Sequence, residues 1–421
     1  MSRRLEVLLH GEPVGEISET ADGGTEFRFN KSYFELVPRP VLGQRLEDDL
    51  ERVRRSRARE RLPDFFANLI PEGRLRELIE QTTEVEAGDD LALLAYVGAD
   101  LPGAAIVRPF EGEELVSEAH RGEAPEEGAE QVPREDEVGD GLRFSLAGVQ
   151  LKLSMLREGE KLTLPVRDQA GNWIVKFDSP SFPHLPANEY SVMEWARAAG
   201  FDVPECHLHE LGDLDQTIGL LSVVRQLVEQ GTRVLAVRRY DRTNGERVHQ
   251  EDFAQVAGLP PAKKYEHIQH EDIALLVRRF IDEDAVDEYV RRLVLTVATG
   301  NGDAHLKNWS LIYPDRVKAA WSPLYDQVAT VAWHVPARAL ALNLGGVKDF
   351  GRIDRGVFDR FANKAQIETG RVNRTIDETL ERLRQAWKEL GNDLPLVPPH
   401  RKAIEEHWRR VPLLRSAGPL T

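Results

Sequence analysis

Short stretches in which apolar and polar residues alternate dominate the first 240 residues and predict β-strands. They are residues 5–9, 26–29, 142–145, 152–156, 162–165, 173–177 and 234–240. Alternation of this kind places every second side chain on one face of a sheet. Between the first two strands, Asp22, Gly23 and Gly24 predict a turn.

A second pattern, with apolar residues three or four positions apart, predicts helices and dominates from residue 250 onward. The helical stretches are residues 75–80, 89–97, 188–199, 273–281, 286–297 and 376–390. Asp89 and Asp90 are suited to the N-terminus of one helix, and Gly200 to the end of another. The highly charged residues 46–61 also permit a helix.

The order of these elements predicts the domain organisation. Residues 1–110 form a small α+β domain, and residues 111–141 a solvated linker or mobile loop. Residues 142–240 are rich in strands, whereas residues 241–421 are mainly helical. A β-rich lobe followed by a helical lobe is the plan of a kinase-like fold, so we expect an α+β protein of that class.

Composition narrows the possible functions. The chain has 421 residues, 41% hydrophobic and 30% charged, which is ordinary for a globular protein. No apolar run approaches the roughly 20 residues that span a bilayer, and the N-terminal residues do not resemble a signal peptide, so we expect no membrane association. Cys206 is the single cysteine, which excludes intramolecular disulfides and favours a cytoplasmic location.

The net charge of −16 argues against direct binding to nucleic acid, which needs a basic surface. Much of the acidity is local, because residues 111–140 hold twelve Asp or Glu against Arg121 and Arg134. An acidic chain of this kind remains suited to a basic protein partner.

Candidate chemistry is concentrated in residues 301–308, of sequence NGDAHLKN, and in Asp326. Asp303 precedes Asn308 by five residues, and Asp326 follows Asn308 by eighteen. This combination suits phosphoryl transfer, in which one carboxylate receives the acceptor's proton while an amide oxygen and a second carboxylate hold Mg²⁺ against ATP. The alternative is an ordinary turn, because Asn, Gly and Asp are typical turn residues.

Other residues add weaker signals for a nucleotide site. Lys176 ends an apolar strand and is suited to contact the phosphates, with Glu189 thirteen residues later as its ion-pair partner. His305 is placed to orient the catalytic aspartate or to contact phosphate, and Lys307 to neutralise charge. Residues 144–153 have small residues that suit a phosphate loop. A surface lysine, a structural histidine and a plain hairpin are the respective alternatives.

Together, eight segments resemble the HipA family, the serine/threonine kinase toxins of bacterial type II toxin–antitoxin systems. They are residues 65–73, 145–153, 174–176, 188–190, 235–242, 250–255, 301–308 and 324–326. The resemblance covers nearly the whole chain and implies a two-lobed kinase-like fold with an extra N-terminal subdomain, using ATP and Mg²⁺.

The resemblance also implies a role for each matching position. Asp303 would be the catalytic base, and Asn308 with Asp326 the metal ligands. Autophosphorylation would occur at Ser145, since the second serine of some relatives is replaced here by Ala147. The implied ATP-binding residues are Ala147, Gly148, Val149, Gln150, Leu151, Lys152, Lys176 and, as a hinge beside adenine, Arg238, Arg239 and Tyr240.

Family members phosphorylate aminoacyl-tRNA synthetases, particularly the glutamyl enzyme, which stalls translation. They are neutralised by a small helix-turn-helix antitoxin (HipB-like), through which operator DNA is bound indirectly. Two other functions remain open, a non-catalytic co-repressor bound to an antitoxin and a small-molecule kinase. Retention of Asp303, Asn308, Asp326 and Lys176 disfavours the first, and the N-terminal domain with residues 144–153 disfavours the second.

Overall fold

The computed structural model describes residues 3–56, 62–83, 85–110, 151–158, 161–163, 171–179, 181–213, 233–243, 245–333 and 338–420. The chain forms two compact units. The first comprises Met1–Pro183 and His209–Gln250, and the second comprises His184–Leu208 and Glu251–Thr421.

The first unit begins with a five-stranded antiparallel sheet. Its strands are β1 (Arg4–Leu9), β2 (Glu12–Glu19), β3 (Thr25–Phe29), β4 (Arg54–Arg55) and β5 (Ala105–Pro109), in the order β4-β3-β2-β1-β5. Its helices are α1 (Lys31–Phe34), α2 (Gln44–Glu47), α3 (Asp64–Ala67), α4 (Gly73–Thr82) and α5 (Asp90–Val97). The Asp89 side chain accepts a hydrogen bond from the Ala92 N–H at 3.1 Å, so this residue caps α5 as predicted.

A second five-stranded sheet follows after residue 150. It contains β6 (Lys152–Glu158), β7 (Lys161–Thr163), β8 (Trp173–Lys176), β9 (Cys206–Glu210) and β10 (Arg233–Arg238), in the order β7-β6-β8-β10-β9. Two short strands, β11 (Arg242–Thr243) and β12 (Glu246–Arg247), form a hairpin.

Buried side chains of both sheets form one hydrophobic core in the first unit. This core includes Val7 and Phe27 from the N-terminal sheet together with Leu153, Val175 and Ala236 from the second sheet. Strands from both predicted regions, residues 1–110 and 142–240, therefore pack into the same core.

The second unit is mainly helical. Its helices are α6 (Leu185–Ala198), α7 (Phe253–Ala257), α8 (His270–Phe280), α9 (Ala285–Thr299), α10 (Arg355–Lys364), α11 (Thr369–Leu390), α12 (Pro398–Arg410) and α13 (Pro412–Ser416). The strands β13 (His249–Asp252), β14 (Ser310–Tyr313) and β15 (Ala320–Trp321) form one small sheet, and β16 (Ala339–Leu344) pairs with β17 (Val347–Asp349). Within the ranges given above, no helix has the length and apolar character needed to cross a bilayer.

Most predicted elements in the described ranges are present, with two exceptions near the N-terminus. Residues 46–61 permit a helix by sequence, but the described part of this stretch contains only the end of α2 and the two-residue strand β4. Strand β2 was not predicted, although it lies between β1 and β3 and pairs with both. Residues 142–145 lie outside the described part of the chain.

Candidate active site

The segment that carries Asp303 begins where helix α9 ends. Gly300 follows this helix with a φ of +65°, a conformation that favours glycine. A Cβ at this position would lie 2.5 Å from a methyl carbon of Val331 and 3.1 Å from the ring of His407. The chain can therefore turn sharply here only because residue 300 has no side chain.

Two polar side chains then hold the turn that presents Asp303. The Asn301 side-chain oxygen accepts a hydrogen bond from the Asp303 N–H at 3.0 Å. The Thr330 hydroxyl accepts from the Gly302 N–H at 2.7 Å and donates to the Gly300 carbonyl at 2.8 Å. The Asp303 side chain itself is exposed, so its carboxylate is accessible to an acceptor.

His305 belongs to the same turn, because its backbone N–H donates a hydrogen bond to the Asp303 carbonyl at 2.7 Å. Burial lowers its pKa to about 4, although the Asp303 and Asp326 carboxylates act in the opposite direction. The side-chain hydrogen bond to Asp303 comes instead from the Tyr265 hydroxyl, at 2.6 Å from Oδ1. Lys307 is buried, with 9% of its surface exposed. The predicted contacts of His305 and Lys307 with phosphate remain predictions.

Asn308 and Asp326 are the candidate metal ligands. The Oδ1 atom of Asn308 is buried and has no hydrogen-bond partner among the described residues, which suits an amide oxygen reserved for a cation. Tyr325, the neighbour of Asp326, donates its hydroxyl to the Lys307 carbonyl at 2.9 Å. This bond ties the two ligand-bearing segments together.

Asp326 is held in an uncommon backbone conformation. Its φ is +52°, in the left-handed region that aspartate and asparagine enter more readily than other non-glycine residues. The segment after it is anchored by buried Asn188, whose side-chain oxygen accepts from the Ala329 N–H at 2.9 Å. The fixed backbone favours a defined direction for the carboxylate.

The residues present fit Mg²⁺ better than a transition metal. Among the described residues there is no group of three or more His, Cys, Asp or Glu side chains that could hold a metal ion. Magnesium instead uses one or two carboxylate or amide oxygens from the protein, and substrate phosphates and water complete its coordination. Asn308 and Asp326 supply that kind of incomplete oxygen set.

Two buried lysines mark the candidate phosphate side in the first unit. Lys152 of β6 pairs directly with Lys176 of β8 in antiparallel register, so the two residues lie on the same face of the sheet. Their exposed fractions are only 7% and 4%. Leu151, which directly precedes β6, is buried too, and its carbonyl accepts from the Phe177 N–H at 3.2 Å. This shared face of the sheet is the candidate for contact with an anionic ligand.

The predicted contact of Arg239 with adenine needs correction. Its guanidinium is fully buried, where it donates to Asp100 at 2.8 Å and to both oxygens of Asp241 at 2.9 and 2.8 Å. Its backbone groups are also engaged, with the N–H bonded to the Asn172 carbonyl and the carbonyl to the Arg242 N–H. Arg239 is therefore a structural residue.

Arg242 completes this buried network by contacting the same two carboxylates at 2.8 Å each. Burial opposes ionisation of Asp241, but the two guanidinium groups outweigh it and hold the pKa of this carboxyl below its usual range. Of the other two predicted hinge residues, Arg238 is exposed at the end of β10, and the Tyr240 hydroxyl bonds to the Gln250 side chain.

Several predicted site residues are not brought together by these observations. Lys176 belongs to the first unit and Glu189 to the second, so their ion pair stays a prediction. The residues Ser145, Ala147, Gly148, Val149 and Gln150 lie outside the described part of the chain.

Sequence reasoning missed four residues that support the site, namely Tyr265, Thr330, Tyr325 and, as an anchor, Asn188. The hydrogen-bond partners of Tyr265, Thr330 and Asn188 are 28 to 141 positions away in the sequence. The partner of Tyr325 is 18 positions away. Such distant pairs leave no local pattern. Only Asn188 and Tyr325 stood in segments that had been singled out.

Comparisons with known proteins bear on the family and the fold. The family model described as HipA N-terminal domain matches residues 5–108, and the one described as HipA-like C-terminal domain matches residues 144–387. The chain is 38% identical to the putative kinase Y4dM of Sinorhizobium fredii, over 98% of both proteins. It is 25% identical to the serine/threonine-protein kinase toxin HipA of Shewanella oneidensis, over 83% of this chain and 82% of that protein.

A solved structure from Shewanella oneidensis, a complex of HipA, HipB and operator DNA, contains a similar chain. The TM-score is 0.73 at 20% identity, and the match covers 98% of this chain and 99% of that one. This likeness confirms the predicted α+β, kinase-like fold class.

Proposed function

The chain belongs to the HipA family, and on that premise we propose that it is an ATP- and Mg²⁺-dependent serine/threonine protein kinase acting as a toxin. The family includes proteins named as kinases, among them a serine/threonine-protein kinase toxin. The reaction would transfer the γ-phosphoryl group of ATP to a protein hydroxyl and release ADP, with the hydroxyl proton passing to a carboxylate.

The geometry around Asp303 carries this proposal. Its carboxylate is exposed at the tip of a turn that Asn301 and Thr330 hold by hydrogen bonds, so it can receive a proton from an incoming hydroxyl. Because burial lowers the pKa of His305 to about 4, this histidine adds no competing positive charge near neutral pH.

Asn308 and Asp326 would hold the metal, which supplies neutralisation of charge on the ATP phosphates when bound. The buried Asn308 oxygen and the left-handed backbone at Asp326 support this assignment. In the first unit, Lys152 and Lys176 would bind phosphate oxygens from one face of their sheet.

The proposed protein substrate is an aminoacyl-tRNA synthetase, with the glutamyl enzyme as the first candidate. The proposed partner is a small helix-turn-helix antitoxin, through which the kinase would meet operator DNA only indirectly. A net charge of −16 suits a basic DNA-binding partner, and the similar chain from Shewanella oneidensis was solved together with HipB and its operator DNA. These partners would place the protein in the cytoplasm.

We further propose that phosphorylation of Ser145 inactivates the kinase. A phosphoserine adds a charge of about −1.5 to −2, which would repel ATP from the phosphate loop that the family resemblance implies at this position. Ala147 stands where some relatives have a second serine, so Ser145 is the serine available at this edge of the loop.

Transfer of label from ATP to protein in a bacterial lysate tests the proposal. Wild type should label one or a few proteins, and Asp303→Asn should label none. Asp315→Asn is the matched control, because Asp315 is an exposed turn residue whose Oδ1 accepts two backbone N–H bonds that asparagine can also accept. Label confined to small molecules would support a small-molecule kinase. Absence of label, with operator repression intact, would support a co-repressor.

A further inference from the structure

Tyr265 contacts the candidate catalytic carboxylate directly. Its hydroxyl donates a hydrogen bond to Oδ1 of Asp303 at 2.6 Å, although the two residues are 38 positions apart. Among the described residues, the Asp303 side chain has no other hydrogen-bond partner. The phenol is therefore the group that fixes the direction of this carboxylate.

The tyrosine is seated on the catalytic segment itself. The carbonyl of the preceding residue, Lys264, accepts a hydrogen bond from the Leu306 N–H at 3.2 Å. The Tyr265 ring lies edge-on to the His305 ring, with centroids 5.0 Å apart and an interplanar angle of 82°. Backbone and ring together place the hydroxyl at Asp303.

Core packing does not account for this arrangement. Tyr265 is 41% exposed, and Asp303 is exposed as well, so their hydrogen bond lies at the surface and contributes little to folding. A large aromatic side chain held at the surface over a reactive carboxylate instead stands where an acceptor protein would approach.

We propose that Tyr265 is a positioning residue for phosphoryl transfer, an inference that rests on the proposed role of Asp303. The hydroxyl holds Oδ1 and leaves Oδ2 to receive the proton of the acceptor serine or threonine. Without it, the exposed Asp303 side chain samples several rotamers, and only a fraction of encounters place an oxygen against the acceptor hydroxyl.

The test compares Tyr265→Phe with wild type in steady-state phosphorylation of purified glutamyl-tRNA synthetase, with dephosphorylated casein as a second acceptor. Phenylalanine keeps the ring contact with His305 and removes only the hydroxyl. We expect kcat to fall about 10-fold, in line with loss of one hydrogen bond to a charged group. The KM for ATP and the melting temperature should stay unchanged, which a merely structural role would not produce.

Two further variants make each outcome decisive. Tyr190→Phe, on helix α6 of the same unit, is the matched control and should behave as wild type. If Asp303→Asn is inactive and Tyr265→Phe keeps the wild-type kcat or exceeds it, the positioning role is wrong while the kinase assignment stands. If Asp303→Asn retains full activity on these acceptors, the proposed role of Asp303 is wrong, and the positioning role of Tyr265 is wrong with it.

Discussion

Lys152 and Lys176 lie directly opposite each other on neighbouring antiparallel strands, and both side chains are buried. Residues paired in this way have Cβ atoms about 4.5–5.5 Å apart. Two ammonium groups on one face of the sheet are therefore suited to contact phosphate oxygens of the same nucleotide, in agreement with the proposed kinase activity.

Replacing either lysine should separate nucleotide binding from folding. For Lys176→Met and Lys152→Met we expect the fold to survive without ligand, because methionine keeps an unbranched apolar side chain of similar length. The rise in melting temperature on adding Mg·ATP should shrink, since it follows nucleotide affinity. Thermal unfolding with and without Mg·ATP measures both effects. The exposed Lys31→Met is the control. A lower melting temperature without ligand, combined with a normal rise on adding Mg·ATP, would contradict the assignment.

Asp303→Asn and Asp326→Asn should both abolish transfer, but for different reasons. The first removes the proton acceptor, and the second weakens a metal ligand. Calorimetric titration with Mg·ATP should therefore show a larger loss of affinity for Asp326→Asn. Asparagine tolerates the φ of +52° at position 326, so the fold should survive. Equal affinities in the two variants would argue against Asp326 as the ligand.

The buried network around Arg239 should dominate the stability of the first unit. Arg239→Met leaves Asp100 and Asp241 buried with less compensation, and we expect a loss of about 3–5 kcal/mol in unfolding free energy. Arg233→Met, which breaks a surface ion pair with Glu210, should cost at most about 1 kcal/mol. Urea denaturation measures both. A loss for Arg239→Met as small as that for Arg233→Met would show that the network does not stabilise the fold.

Stability should fall in mildly acidic solution because several histidines are buried in the neutral form. Burial lowers the pKa of His270 to about 3 and those of His249 and His407 to about 4, from an ordinary value of 6.5. Between the folded and the unfolded pKa values, the unfolded chain binds more protons than the folded chain. The stability that these histidines contribute is therefore fully present above pH 6.5 and is lost as the pH falls towards 4.

The His270→Gln variant tests this origin of the acid sensitivity. It should show a shallower fall in unfolding free energy between pH 6.5 and 4, by about one proton in the slope. Urea titrations at several pH values give that slope. A slope identical to wild type would mean that His270 does not contribute.

Local patterns in the sequence predicted much of the fold. Alternation located β1 and β3, and apolar spacing located α8, α9 and α11. The charged residues from 46 onward permit a helix, but Arg54 and Arg55 form β4 and pair with β3. Helix propensity alone does not fix a structure when tertiary pairing competes. Strand β2 was missed because its pairing with both neighbours, rather than its own sequence, defines it.

The candidate site was also only partly predictable from the sequence. The spacing of Asp303, Asn308 and Asp326 was readable because all three lie within one short segment. The burial of Arg239 was not, since its partner Asp100 is 139 positions away. The hydroxyl of Tyr265 over Asp303 was equally hidden, because a single tyrosine in a polar stretch carries no periodic or motif signal.

Intact-mass spectrometry of purified protein after incubation with Mg·ATP tests the kinase assignment most directly. Wild type should gain the mass of a phosphoryl group, mapped by peptide analysis to Ser145, whereas Ser145→Ala and Asp303→Asn should gain none. A gain in Asp303→Asn equal to that of wild type would contradict the assignment of the catalytic base. A gain that persists in Ser145→Ala, with no modification at Ser145 in wild type, would contradict the self-inactivation model. No gain in any form, combined with no labelled protein in the lysate, would contradict the account that this chain is a protein kinase.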